Sequence, residues 1–265
     1  MKLSIVIPAC NEEARIGAML DAYLPYFTSR YGGSVEFLVV VNGTTDQTAR
    51  VVESYIPRYP GLRCIVEPER IGKGGAVRRG FAAATGDHVG YADADGATPP
   101  DAFDDLVAHA GDAPVVIASR WCPGSVVHPR QPLMRRVISR VFNLLTRGLL
   151  GLRLSDTQCG AKVLRRDVVE HILASGGLVT QWAFDVDLLL QAKHGGFAII
   201  ELPTVWHDVS GSKIVVTESS IEMLAALIRL RLLYSPFRWV VDFYNRTLGR
   251  WLARRHSRVR SSSPD

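Results

Sequence analysis

Short apolar runs rich in β-branched residues alternate with amphipathic stretches through the first half of the chain. Leu3 to Pro8, Val35 to Val41, Leu62 to Val66, His88 to Ala92 and Pro114 to Ala118 read as strands apolar on both faces. Between them Glu12 to Phe27, Thr45 to Tyr55, Gly74 to Ala84 and Pro100 to Ala110 carry helical periodicity. Strands buried on both faces and separated by helices predict an α/β fold, a mostly parallel sheet covered on each side. Ligands in such sheets bind beyond the carboxyl ends of the strands. The polar clusters fall there: Asn11-Glu12-Glu13 after the first strand, Asn42 to Asp46 after the second and Asp93 to Gly96 after the fourth.

The second half changes character. A basic amphipathic segment, Arg135 to Arg153, leads into Asp156-Thr157-Gln158-Cys159-Gly160. A helix at Phe184 to Lys193, a strand at Phe197 to Leu202 and a second amphipathic helix at Ser219 to Leu233 come next. Phe237 to Arg255 is basic and bears aromatic residues, and the final serines read as a disordered end. The pattern divides the chain into a catalytic unit at residues 1–215, basic amphipathic helices at 216–256 and a tail at 257–265.

A length of 265 residues, with 47% hydrophobic and 22% charged residues, is ordinary for a folded protein and excludes wholesale disorder. The net charge of +5 is uneven: nine arginines from Arg229 onward face only Asp242 and Asp265. Such a segment suits phosphates or anionic headgroups. Four scattered cysteines point to free thiols in a reducing compartment. No leader-like h-region and no run of about 18 apolar residues is found, so the expected location is the cytoplasm.

Asp93 and Asp95 are the first candidates for chemistry. Two carboxylates one residue apart at a strand end can share a hard divalent cation, Mg²⁺ or Mn²⁺, which takes carboxylates and substrate phosphates as ligands. Alone the pair is a weak signal, because Asp-x-Asp recurs in turns and caps. Asn42 to Asp46 forms a turn into a helix, with Asp46 as a cap and free amides for a nucleotide phosphate. Lys73, within Gly72-Lys73-Gly74-Gly75, puts positive charge at a helix start, although the motif lacks the ending of a Walker loop. Arg120, Arg135, Arg136 and Ser139 form a basic group suited to phosphate. Asp185 and Asp187 lie in an otherwise apolar helix, where acids are costly unless paired, so one is read as structural and one as functional. His207 and Lys213 sit in a polar loop.

These motifs, taken in order, resemble inverting family-2 glycosyltransferases with a nucleotide-diphospho-sugar transferase (GT-A type) fold. Gly72 to Val77, Asp93 to Thr98, Asp156 to Gly160, Trp182 to Val186 and Gly211-Ser212-Lys213 are similar to the dolichyl-phosphate β-glucosyltransferases, relatives of the dolichyl-phosphate mannose synthases. The similarity runs from about Leu3 to Lys213. It implies that Pro8, Ala9, Asn11, Glu13, Asn42, Asp46, Lys73 and Asp93 hold the nucleotide, and that Asp93 and Asp95 serve ribose and metal. Arg120, Arg135 and Ser139 would bind a lipid phosphate, Asp156, Gln158 and Trp182 the sugar or acceptor, and Asp95, Asp185 and Lys213 would act in catalysis. Two departures stand out. Val41-Asn42 occupies the place of two acids, and Ala97 replaces the glutamine of the mannose synthases, which favours the glucosyl branch. The glucosyl enzymes usually bear an N-terminal membrane helix, and no such helix opens this sequence.

The expected reaction is therefore transfer of a hexose, with UDP-glucose favoured as nucleotide sugar donor, to polyprenyl phosphate at a membrane surface. GDP-mannose, a UDP-N-acetylhexosamine or a saccharide acceptor remain as alternatives. A nucleotidyltransferase or a non-catalytic binding module stands further off, and nucleic acid is not an expected partner. Val137 to Leu154, with Trp239 and Trp251 further on, has the pattern of an interfacial surface.

Overall fold

The computed structural model describes residues 1–129, 133–176, 183–207 and 216–244. A seven-stranded sheet forms its centre. In chain order the first elements are β1 (Leu3–Ala9), α1 (Ile16–Tyr31), β2 (Val35–Asn42), α2 (Thr48–Glu53), β3 (Leu62–Glu67), α3 (Gly72–Ala83), β4 (His88–Ala92), α4 (Pro100–Ala108) and β5 (Val115–Ser119). After them come β6 (Val126–His128), α5 (Leu133–Leu150), β7 (Ala161–Arg165), α6 (Arg166–Ala174), α7 (Phe184–His194), β8 (Ile199–Pro203), β9 (Val205–His207), α8 (Val216–Leu233) and α9 (Arg238–Tyr244). The sheet order is β3-β2-β1-β4-β7-β5-β8, and β6 pairs with β9 in a separate ribbon.

The expected parallel α/β sheet is present, with one reversal. β7 runs antiparallel to both β4 and β5, while β1, β2, β3, β4, β5 and β8 share one direction. The hydrophobic pattern did not predict β7 or α6, because Ala161-Lys162-Val163-Leu164-Arg165 breaks its apolar run with a lysine. The consequence is large. Reversal places the beginning of β7, and Asp156 to Gly160 before it, at the edge where β1, β2, β4 and β5 end.

Two apolar layers flank the sheet. One joins β1 and β2 to Met19, Leu20, Tyr23 and Phe27 of α1 and to Phe103 and Leu106 of α4. The other joins the opposite face to Val77 and Phe81 of α3, Val168 and Ile172 of α6, and the apolar residues of α7. Leu227 and Leu230 of α8 are fully buried in this second layer beside Phe142 and Leu150 of α5. α8, which follows the division expected at residue 216, thus shares the core of the sheet through these two leucines. Residues 257–265 lie outside the described residues, as does Trp251.

Helix boundaries differ at their starts. α1 begins at Ile16 rather than Glu12, because Asn11 adopts φ 56° and the amides of Arg15 and Ile16 both donate to the Glu12 carbonyl at 2.9 Å. α3 lies close on the sheet because Gly80 has no side chain: a Cβ there would run into the Val6 side chain of β1. Gly80→Leu overpacks this contact and is expected to cost about 1–3 kcal/mol of stability, read as a lowered urea midpoint at unchanged m-value.

Candidate active site

The carboxyl edge carries two halves. In the first, the loops after β1 and β2 are laced together. Asn11 Oδ1 accepts the Thr45 amide at 2.9 Å, Glu13 Oε2 accepts the Gln47 amide at 2.8 Å, and Asp46 Oδ2 accepts the Glu13 amide at 3.1 Å. Asp46 Oδ1 takes the amide and hydroxyl of Thr48 at 3.0 and 2.5 Å, fastening the start of α2. Burial opposes ionisation of Asp46, but these hydrogen bonds outweigh it and hold its pKa low. Asn42 is buried, donating to the Ala9 carbonyl at 3.1 Å and accepting the Gly72 amide at 3.1 Å. It braces three loops at once. Pro8 and Ala9 are buried in β1, so the crevice these residues frame is rigid.

β4 ends at Ala92 and delivers Asp93 and Asp95 to this crevice. Lys73 Nζ meets Asp93 Oδ1 at 2.8 Å, each side chain being 29% exposed, and reaches Asp185 Oδ2 at 3.5 Å. Asp95 Oδ1 accepts the Ala97 amide at 3.0 Å. Its pKa is raised, first by burial and then by the negative charge of Asp93. Glu12, clamped by Arg15 through two 2.8 Å hydrogen bonds, is also raised, mainly by burial, with smaller contributions from Asp95 and Asp93. Glu12, Asp93 and Asp95 thus share one field, and Glu12 was not among the residues expected at the site. A divalent cation fits this shortage of positive charge. Among the described residues no group of three or more His, Cys, Asp or Glu side chains could hold a metal ion. Asp93 and Asp95 could supply two ligands to such an ion, with water filling the other positions until substrate phosphates replace some of it, the usual arrangement for Mg²⁺.

The second half lies at the ends of β5 and β7. Arg120 donates to Asp156 from Nε at 2.7 Å, from Nη2 at 3.0 Å and from its amide at 3.0 Å. Asp156, expected at the sugar or acceptor side, has no exposed surface in this structure. It anchors Arg120 instead, and burial notwithstanding, the guanidinium keeps its pKa low. Gln158 is partly exposed and donates its amide to Asp156 Oδ1 at 3.2 Å. Arg120 also stacks over Trp206 and Arg140 over Trp121, at 5.0 and 4.2 Å from the ring centres. A cavity of about 380 Å³ opens here, lined by Arg120, Trp121, Ser125, Val126, Val127, His128 and Arg136. Ser139 is half-buried one turn along α5 from Arg136. Arg135 lies in α5, but its side chain is outside the described residues, as are Trp182 and Lys213. His207 is exposed and its amide donates to the Ala97 carbonyl at 2.7 Å.

The two acids of α7 divide as their burial requires. Asp187 accepts the Tyr234 hydroxyl at 2.8 Å and Gln191 Nε2 at 3.1 Å, and burial raises its pKa. It is structural. Asp185 is buried among cations: Oδ1 accepts Lys162 Nζ at 2.6 Å and also the Tyr91 hydroxyl. Burial pushes its carboxyl up, but Lys162 and Lys73 prevail and hold it below the ordinary range. An acid so held is a poor proton acceptor, and the cation it organises toward the crevice, among the described residues, is Lys73. Lys162 and Tyr91 were not among the residues expected from the sequence. Their signal was a lysine inside an apolar pentad, which can be buried only with a partner.

A mostly parallel sheet with a paired-carboxylate strand end beside an arginine-lined cavity is the arrangement expected of a glycosyltransferase of the nucleotide-sugar type. Residues 4–173 match Glycosyl transferase family 2, and the chain belongs to that family. The dolichyl-phosphate β-glucosyltransferase of Homo sapiens is 32% identical over 254 residues, covering 91% of this chain and 78% of the relative. The Saccharomyces cerevisiae enzyme of the same name is 33% identical, over 88% of this chain and 75% of its own. Among solved structures, glucosyl-3-phosphoglycerate synthase from Mycobacterium tuberculosis, in complex with Mn²⁺, UDP-glucose and phosphoglyceric acid, shares the fold. Its TM-score is 0.64 at 22% identity, covering 89% of this chain and 81% of that one.

Gly160 backs directly onto the Asp93 carboxylate, and a Cβ there would collide with it. Because the obstacle is the end of a side chain, Gly160→Ala is expected to fold normally while displacing Asp93. The expected result is donor kcat/KM lowered about 10- to 100-fold with an unchanged circular dichroism melt.

Proposed function

We propose that the protein transfers glucose from UDP-glucose to polyprenyl phosphate, with inversion, while resting on the cytoplasmic face of a membrane. The observation that carries this reading is the first turn of α5. It contributes Arg136 to the cavity wall and exposes Leu133, Met134 and Val137. A cation facing a cavity and an apolar stripe on the same turn suit an acceptor that is a phosphate with a hydrocarbon chain. The names of the relatives, which join a dolichyl phosphate to a β-glucosyl group, support the same chemistry.

In the proposed reaction a phosphate oxygen of the acceptor forms the new bond to the anomeric carbon as the bond to the UDP oxygen breaks. The electron pair leaves with the diphosphate. A phosphate monoester is largely ionised near pH 7, with a second pKa of about 6, so no proton has to be removed. That agrees with the buried acids of the site: Asp156 and Asp185 are both ion-paired and hold no proton-accepting role. Arg120, Arg136 and Ser139, with Arg135, would orient the acceptor phosphate. Mg²⁺ or Mn²⁺ bound at Asp95 and Asp93 would supply countercharge for the departing diphosphate. Lys73 adds positive charge at the same end, and Lys213 would add more. Pro8, Ala9, Asn11, Glu13, Asn42 and Asp46 would shape the nucleotide crevice.

The test is a screen of radiolabelled UDP-glucose, GDP-mannose and UDP-N-acetylhexosamines against polyprenyl phosphate, with label counted in the organic phase. UDP-glucose is expected to dominate, and Asp95→Ala to lose about 100-fold. Full turnover by Asp95→Ala in chelator would sink the reading.

Membrane attachment is read from one surface. Leu133, Val137, Val141 and Leu144 form an exposed stripe on α5, Leu224 and Ile228 are exposed on α8, and Phe237, just before α9, and Trp239 and Phe243, on it, are exposed as well. α8 packs against both α5 and α9. Arg136, Arg140, Arg147 and Arg231 border the stripe, as anionic headgroups require. No helix among the described residues is long and apolar enough to cross a membrane. Sedimentation with anionic vesicles is expected for the wild type and should fall sharply in Val137→Asp/Leu144→Asp. Protein that stays in the supernatant with such vesicles would exclude this attachment.

A further inference from the structure

Lys162 takes no part in the chemistry above, yet it is a fully buried lysine at the inner end of a chain of ion pairs. Its side chain has no exposed surface. All three ammonium hydrogens have acceptors: Asp185 Oδ1 at 2.6 Å, the Cys159 carbonyl at 2.7 Å and the Tyr91 hydroxyl at 2.9 Å. Asp185 reaches on with Oδ2 to Lys73, and Lys73 reaches Asp93. Four charges therefore alternate from the interior to the crevice: Lys162, Asp185, Lys73, Asp93.

We propose that Lys162 is a positioning residue that keeps the Lys73 ammonium on Asp93. This rests on the reading of Asp93 and Asp95 as the donor site. One ammonium between two carboxylates moves toward the one less compensated. Asp185 is the more deeply buried of the two, at 11% exposure against 29% for Asp93, and charges attract more strongly where water is excluded. Left alone it would take Lys73. Lys162 and Tyr91 compensate it from behind, and the contacts show the outcome: Lys73 is 2.8 Å from Asp93 and 3.5 Å from Asp185. Lys73 on Asp93 leaves the Asp93–Asp95–Lys73 group with one net negative charge. Lys73 drawn to Asp185 would leave the carboxylate pair with two and take a cation from the diphosphate.

Loss of Lys162 should therefore favour the metal and disfavour the donor. In Lys162→Met, Mn²⁺ titrated calorimetrically without nucleotide should bind about tenfold more tightly, while KM for the donor at saturating Mn²⁺ rises by a similar factor. Lys73→Met should reproduce both changes, and the double variant should add nothing further. A merely structural lysine would alter the folded fraction and leave the Mn²⁺ constant of the folded protein unchanged. An unchanged or weakened Mn²⁺ constant in Lys162→Met, or additive effects with Lys73→Met, would overturn the proposal. Should Lys162→Met fail to fold, Lys162→Met/Asp185→Asn buries no unpaired charge and leaves Lys73 only Asp93. Its Mn²⁺ constant must then equal that of the wild type, and any other value overturns the proposal. Wild-type protein that binds no Mn²⁺ would overturn the donor-site reading together with it.

Discussion

β7 enters the sheet between β4 and β5 against the direction of both, and the site depends on that reversal. In a sheet of uniform direction each strand contributes to the ligand edge only the residues C-terminal to it. A reversed strand contributes its N-terminal neighbours instead. Ala92 at the end of β4 pairs with Ala161 at the start of β7, which sets Gly160 against Asp93 and leaves no room between them for a side chain. The same reversal brings Asp156 to Arg120 at the end of β5. It also turns Lys162 inward, one residue into the strand, where only an ion pair makes its burial tolerable.

The edge is sorted by sign as a result. Asp93, Asp95 and Glu12 gather where β1 and β4 end, and Arg120, Arg136 and Arg140 gather near β5 and the start of α5. Each half contains a minority charge of opposite sign. Lys73 tempers the acidic half and Asp156 the basic one. Such an arrangement lets two anionic reactants approach one another, because each meets countercharge at its own end. In the proposed reaction a divalent cation would balance the acidic half, and a fixed guanidinium serves the basic half.

Much of this was legible in residues that are neighbours in sequence. Asp93-Ala94-Asp95, Lys73 at a helix start and the strand of β4 come from local pattern, and the structure places them as the pattern implies. Pairing across the fold was not legible. Lys162 and Asp185 are 23 residues apart and meet only in the tertiary fold, where α7 shares an apolar layer with Leu164 of β7. Asp156 resembled a ligand contact, yet its partner Arg120 lies 36 positions away and removes it from any surface. Glu12 and Glu13 are adjacent carboxylates that no spacing rule separates; the left-handed turn at Asn11 decides which one faces Asp95.

Among the described residues the buried acids offer no free base, which bears on the proposed acceptor more than on the donor. A sugar hydroxyl has to lose its proton as it attacks, and enzymes meet that need with a carboxylate or histidine of raised or near-neutral pKa. Asp185 and Asp156 are instead held as carboxylates by Lys162 and Arg120, and so are built to orient cations. Asp187, whose pKa is raised, is tied to Tyr234 at the end of α8. Asp95 and Glu12 have raised pKa values too, but they lie in the acidic half with the proposed diphosphate site, and Glu12 is clamped by Arg15. A nucleophile already ionised in water removes the requirement, and a phosphate monoester is such a nucleophile where a sugar hydroxyl is not. In the proposed reaction the arginines would do two things with one charge: collect the acceptor and leave its attacking oxygen unprotonated.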